Sequence, residues 1–267
     1  RVQDGKVRER LLQLDGSAQE VMRIDGHTQC VSGILIAGLG DSPNSTARAL
    51  DPQKLKNWYD LAVIGKSRVA GRSAVIVSLT PRDQHRYGFE LHLDKETGLP
   101  LKSLLLNDKG QLLERFQFTR LDTAEVPSDS DLQAGSDCKT ITLDSDNASA
   151  VKIAQVWHSD WLPPGFELIS STSHKDPETK AQVNSLMFDD GLARFSVFLE
   201  PLNGATLTDT RTQLGPTVAV SRRLTTPQGE MMVTVVGEIP IGTAERIALS
   251  MRNDAPSLTA SNAFQSI

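Results

Sequence analysis

The chain has 267 residues, 39% of them apolar and 23% charged, with 28 Lys and Arg against 33 Asp and Glu. That length and apolar content supply buried cores for one large domain or two ordinary ones, which excludes a disordered segment and a disulfide-held mini-scaffold. A net charge of -5 gives no broad attraction to nucleic acid, and no run approaches the roughly 18 consecutive apolar residues of a membrane helix. The most apolar stretch, "VSGILIAGLG" from Val31 to Gly40, is short and broken by glycine. The sequence starts at Arg1 without a charged-then-apolar leader, so the N-terminus gives no reading of compartment.

In chain order, Asp15-Gly16 and Asp25-Gly26 sit between runs of strand length and suit tight hairpin turns, which predicts an antiparallel meander. Asp51 reads as the N-cap of a short helix with Pro52 at its first position and Leu55, Trp58 and Tyr59 on one face. Strands resume at "AVIVSL" from Ala74. In "HRYGFELHLD" the apolar Tyr87, Phe89, Leu91 and Leu93 point one way, and Arg86, Glu90 and His92 the other. Turns at Asp94 to Gly98 and Asp108 to Gly110 separate two further strands, giving a sheet with one apolar face to be covered.

Residues Leu121 to Asp137 are poor in large apolar side chains and rich in Ser, Asp, Pro and Gly, the composition of an exposed linker. Beyond it come a hairpin around Asp190-Gly191, strands in "TVAVSRRL" and "MMVTVVGEI", and a helix "AERIALSM" with Thr243 expected as its cap. The Ser- and Ala-rich tail from Asn253 is expected to be loose. The reading is an α+β protein with two separately folded domains, 1–123 and 137–267, joined by a linker over 124–136.

Cys30 and Cys138 form no CxxC pair and lack metal-ligand spacing from the histidines. Two readings stay open: one bridge in an exported protein, closing a loop of about 100 residues and worth up to about 4 to 5 kcal/mol, or two separate small buried side chains.

"WHSDW" places His158, Ser159 and Asp160 side by side, the three residue types of a hydrolase triad. Adjacent strand residues face opposite ways, so this trio does not converge, and "LPPG" ends the strand. Trp157 and Trp161 read as core or interface aromatics, and the chain has no G-x-S-x-G elbow. The histidines His27, His85, His92, His158 and His174 form neither HExxH nor H-x-H, and the glycines of "IAGLGDSP" form neither dinucleotide nor phosphate motif. The carboxylates sit mainly in turns. No enzyme, cofactor or metal site is therefore expected. What stands out is the cationic series Lys66, Arg68, Arg72, Arg82 and Arg86. It is either a solvated sheet face or a rim around an apolar groove, able to hold a lipid with anionic head groups.

"RERLLQLDGSAQEVMR", "GKSRVAGR", "RYGFELHLDKETGLPLKSLLL", "WHSDWLPPGFEL" and "GLARFSVFLEPL", in this order and spacing, resemble the RseB/MucB family over nearly the whole chain. These are periplasmic regulators of the envelope-stress sigma factor in Gram-negative bacteria. The resemblance implies an N-terminal domain similar to LolA-type lipoprotein carriers, a curved antiparallel sheet with helices over an apolar cavity, and a smaller α+β C-terminal domain. It implies a non-enzymatic function in the periplasm: binding the periplasmic part of a transmembrane anti-sigma factor, protecting it from proteolysis, and release by lipid or lipopolysaccharide. Homo-oligomerisation stays open. A lipid or lipoprotein carrier without a regulatory partner is the alternative. The expected lipid-binding set is Tyr87, Phe89, Leu91 and Leu93 with Arg68, Arg72, Arg82 and Arg86. The family carries a helix and further strands ahead of the point where this sequence starts, so Arg1 is expected inside the first domain with part of the cavity wall missing. Val31 to Leu50 fits the family pattern poorly.

Overall fold

The computed structural model describes residues 1–14, 19–25, 27–32, 51–140, 156–175, 181–227 and 229–254. By its contacts the chain divides into two units, Arg1–Ala49 with Leu121–Ser145 and Leu50–Arg120 with Asp146–Ile267. The architecture is α+β: antiparallel sheets and, among the described residues, two helices.

The first unit is a five-stranded antiparallel sheet, β1 (Val2–Gln3), β2 (Lys6–Leu12), β3 (Glu20–Ile24), β4 (His27–Ser32) and β10 (Lys139–Thr140), in the order β1-β2-β3-β4-β10. The β3–β4 turn contains Asp25 at φ 51°, in the left-handed region that Asp tolerates. Its carboxylate accepts from the Val7 amide at 2.7 Å. The Asp15-Gly16 turn, Gly26 and the stretch 33–50 lie outside the described residues.

The stretch expected as a free linker is exposed along most of its length, yet it is fastened to this sheet. Arg1 donates to the Pro127 carbonyl at 3.0 Å and pairs with Asp129 at 3.0 Å. Arg10 donates to the Asp131 carbonyl at 3.0 Å and pairs with Glu20 at 2.7 Å. The buried Glu20 accepts from the Gly135 amide at 2.9 Å, and Leu132 is buried. The Cys30–Cys138 disulfide, Cα atoms 5.5 Å apart, resolves the open choice for the cysteines. Composition reports exposure, but these partners lie more than a hundred residues upstream and leave no local trace.

The second unit opens with α1 (Pro52–Leu55). Asp51 caps it, accepting from Gln53 N at 2.9 Å and Lys54 N at 3.3 Å, with Pro52 at the first position as expected. The helix stops at Leu55; Trp58 falls in the following turn and Tyr59 begins a strand. Then come β5 (Tyr59–Val69), β6 (Arg72–Pro81), β7 (Gly88–Asp94), β8 (Pro100–Leu106) and β9 (Leu112–Gln117), a five-stranded meander in sequence order. Leu55 and Tyr59 pack on Leu79 and Leu91 of the apolar face, with Phe89 and Leu93 beside them.

The remainder has a two-stranded sheet, β11 (Trp157–Ser159) with β18 (Met251–Asn253). Beside it is a six-stranded sheet of β12 (Glu167–Lys175), β13 (Gln182–Asp189), β14 (Arg194–Pro201), β15 (Thr210–Leu214), β16 (Thr217–Thr226) and β17 (Gly229–Gly237), in the order β12-β13-β14-β17-β16-β15. Helix α2 (Ile241–Ser250) lays Ala244, Ile247 and Ala248 on Val218, Val220, Val233 and Val235, and Met251 just beyond it completes the i, i+3, i+4, i+7 stripe. Thr243 is not the cap. Pro240, with its fixed φ, starts the helix with no side-chain cap, and Thr243 is buried in the first turn within 3.3 Å of His85 Nδ1.

Candidate functional site

Directly opposed residues of an antiparallel pair share a face, so the register of β5–β9 shows which side chains stand together. Val75 opposes Leu93, Val77 opposes Leu91 and Leu79 opposes Phe89. On the flanks Val63 opposes Val77, and Phe116 opposes Ser103, itself opposite Leu91. One end of this face is covered by Leu55 and Tyr59. Phe89, opposite Leu79, belongs to that covered end; away from it Val75, Val77 and Leu93 are half-buried, while Val63 and Phe116 are 72% and 57% exposed. Tyr87 lies just ahead of β7 and is buried, its phenol pushed up by that burial and then by Asp108.

The four expected cations separate. Arg68 opposes Ser73 on the apolar face, and Lys66 opposes Val75 on it. Arg72 turns the other way, donating to Asp94 at 2.8 and 3.1 Å and to Glu96 at 2.8 Å. Hydrogen bonds from Arg72, and then from Thr97, hold the Asp94 carboxyl down at about 2. Arg82 pairs with Asp60 at 2.8 Å at an exposed site. Arg86 is corrected outright: its side chain is 0% exposed and unavailable to a head group. At the β5–β6 hairpin, Arg68, Arg72 and Lys95 line a polar recess of about 540 Å³ together with Asp94 and Glu96.

Arg86 instead forms a buried joint between the meander and the six-stranded sheet. Its Nη1 donates to Asp190 Oδ2 at 2.6 Å, and its Nη2 donates to Asp83 at 2.9 Å and to the Pro164 carbonyl. The guanidinium carbon lies 5.1 to 5.6 Å from the ring centroids of Trp58, Tyr59 and Phe166. Asp190 also accepts from Tyr59 Oη at 3.0 Å and from the amides of Leu192 and Ala193 at 2.9 and 2.7 Å. Burial, then the Asp190 charge, pushes the Tyr59 phenol far up, so it stays a donor. Gly165, at φ 86°, lies where a Cβ would run into the Trp58 indole, which explains a glycine after "LPP".

The His158, Ser159, Asp160 trio does not converge. Ser159 donates to the Trp161 carbonyl at 2.6 Å, while His158 lies 3.3 Å from Asp160 and 3.0 Å from Asp254. Trp157 is in the core and Trp161 packs against it, under the Arg246 guanidinium at 3.9 Å. A Ser–His–carboxylate chain does exist elsewhere: Ser67 Oγ is 2.6 Å from His92 Nδ1, whose Nε2 is 2.9 Å from Glu90 Oε1. Sequence reading missed it because Ser67 comes from β5 and the others from β7. Ser67 stands mid-strand, where neighbouring amides lie in the sheet plane and do not converge above the hydroxyl as an oxyanion site requires. The chain of bonds satisfies a buried imidazole. Among the described residues no group of three His, Cys, Asp or Glu is placed to hold a metal. Ser159→Ala and His158→Ala are each expected to shift unfolding free energy by less than about 1 kcal/mol, because their contacts are few and partly exposed. A loss of about 2 kcal/mol or more in urea unfolding of either variant would contradict this.

A family model described as the MucB/RseB N-terminal domain matches residues 1–136, and one described as the MucB/RseB C-terminal domain matches 151–252. The chain belongs to the MucB/RseB family. It is 59% identical over 253 residues to the sigma factor AlgU regulatory protein MucB of Pseudomonas aeruginosa, covering 94% of this chain and 79% of that protein. It is 29% identical over 257 residues to the sigma-E factor regulatory protein RseB of Haemophilus influenzae, with the same two coverages. The solved complex of Pseudomonas aeruginosa MucA/MucB matches with a TM-score of 0.81 at 59% identity, covering 95% of this chain and 85% of that one. A crystal structure of MucB matches with 0.70 at 57% identity, covering 94% and 83%. The family models meet between residues 136 and 151, whereas contacts gather 50–120 with 146–267; the Arg86–Asp190 joint is one reason for the difference.

Proposed function

We propose that this chain is a regulatory binding protein that binds the periplasmic part of a transmembrane anti-sigma factor, shields it from proteolysis and is released by lipid or lipopolysaccharide. The observation that carries the reading is its likeness to MucB in the solved complex with MucA. The Cys30–Cys138 disulfide supports a periplasmic setting, where such bonds persist. Its action is non-enzymatic, consistent with a family of regulatory proteins. The acyl chain lies along the half-buried Val75, Val77 and Leu93, with Lys66 and Arg68 at the head group. Each buried methylene contributes about 0.8 kcal/mol.

Lipid and partner then bind with negative coupling, and linkage makes the effect reciprocal. Titration of a labelled periplasmic MucA segment at several lipid concentrations below the micelle threshold is expected to show affinity falling about ten- to a hundredfold. Unchanged peptide affinity while lipid demonstrably binds would leave a lipid carrier as the reading.

A further inference from the structure

Strand β9 is the last of its sheet and pairs only with β8, so one edge of its main chain is open among the described residues. The Phe118 amide donates to the Leu101 carbonyl at 2.9 Å, which fixes the phase of the ladder. Phe116 and Glu114, two and four residues back, therefore turn their main-chain groups to β8, whereas Arg115 and Gln117 present theirs to the open edge. Natural edge strands are commonly covered, twisted away or guarded by inward charges. Here Glu114, Arg115, Phe116 and Gln117 are all exposed, and Phe116 stacks edge-on against Phe118 with ring centroids 5.4 Å apart.

A second observation indicates what the edge would accept. Glu238, just beyond β17, is partly buried, and Glu114 of β9 acts on it electrostatically: burial, then the Glu114 charge, pushes its carboxyl up. Among the described residues neither carboxylate has a cation at ion-pair distance. An arriving ammonium or guanidinium group would relieve that repulsion.

The geometry points to β9 as a strand-addition site for an extended, basic segment of the anti-sigma factor, with an apolar side chain on Phe116 and a Lys or Arg between Glu114 and Glu238. Main-chain hydrogen bonds to Arg115 and Gln117 supply the pairing, and the aromatic ring with the acidic pair supplies the selection. The inference rests on the proposed binding of that partner.

The test measures binding of a labelled periplasmic MucA segment to the full chain and to three variants. Gln117→Pro removes an outward amide while sparing the β8 ladder; Glu114→Lys reverses the charge; Phe116→Ala removes the anchor. Each is expected to weaken binding about tenfold or more, with melting curves confirming the fold. Should the proline variant fail to fold, the other two decide the matter. Binding by the wild type with undiminished affinity in the folded variants overturns the edge site and leaves the proposed function standing. Failure of the wild type to bind overturns both.

Discussion

Arg86→Ala is expected to destabilise the protein by about 3 to 5 kcal/mol, because it leaves the Asp190 carboxylate buried without its countercharge. Both side chains of the pair are 0% exposed and 2.6 Å apart, so neither solvent nor salt can substitute for the missing partner. The remaining donors to Asp190, the Tyr59 hydroxyl and two backbone amides, are neutral. Arg86→Lys keeps the charge but loses the planar fork to Asp83 and the fit over three rings, and is expected to cost about 1 to 2 kcal/mol. Arg86→Met combined with Asp190→Asn should cost less than the two single changes added, since each single change strands the other group. Urea unfolding of the five variants, the two single changes of that pair included, measures these quantities. An Arg86→Ala protein unfolding at the wild-type midpoint would show that the joint carries no stability.

Arg86 also shows where sequence reading stops. The alternation of Phe89, Leu91 and Leu93 is a property of one strand, and the structure keeps those three on one face. The Asp51-Pro52 cap is local too, and so are the turns closed by Gly98 and Gly110, at φ 74° and 73°. Arg86, by contrast, precedes β7 in a loop, and its burial depends on Asp190, 104 positions away. Arginine on the polar side of a strand reads as solvated until that partner is known. Sequence separation likewise hid Ser67 from His92, 25 positions on, and Arg1 and Arg10 from the 121–140 stretch. Thr243 failed for a different reason: it is a good cap residue, but Pro240 starts the helix three positions earlier. Of the cations expected to hold a head group, Arg68 shares the face of Val75 because a one-residue register shift between Val63 and Gly65 changes the phase of the end of β5.

Reduction of the disulfide is expected to lower stability by about 4 to 5 kcal/mol on the chain-entropy account, because the bridge spans 108 residues. The native contacts alone hold the 121–140 stretch weakly. Strand β10 has two residues, and exposed pairs such as Arg1–Asp129 contribute up to about 1 kcal/mol each. Without the bridge, β10 should leave β4 first, with faster exchange of the amides that join the Cys30–Val31 and Lys139–Thr140 segments before global unfolding. Cys30→Ser, Cys138→Ser and the double variant should agree within about 1 kcal/mol, since the first substitution already frees the loop and the second removes only a small side chain. Denaturant titrations of oxidised, reduced and substituted protein give the comparison. Coinciding midpoints for the oxidised and reduced forms would mean that the arginine contacts and Leu132, rather than the covalent bond, hold this stretch to its sheet.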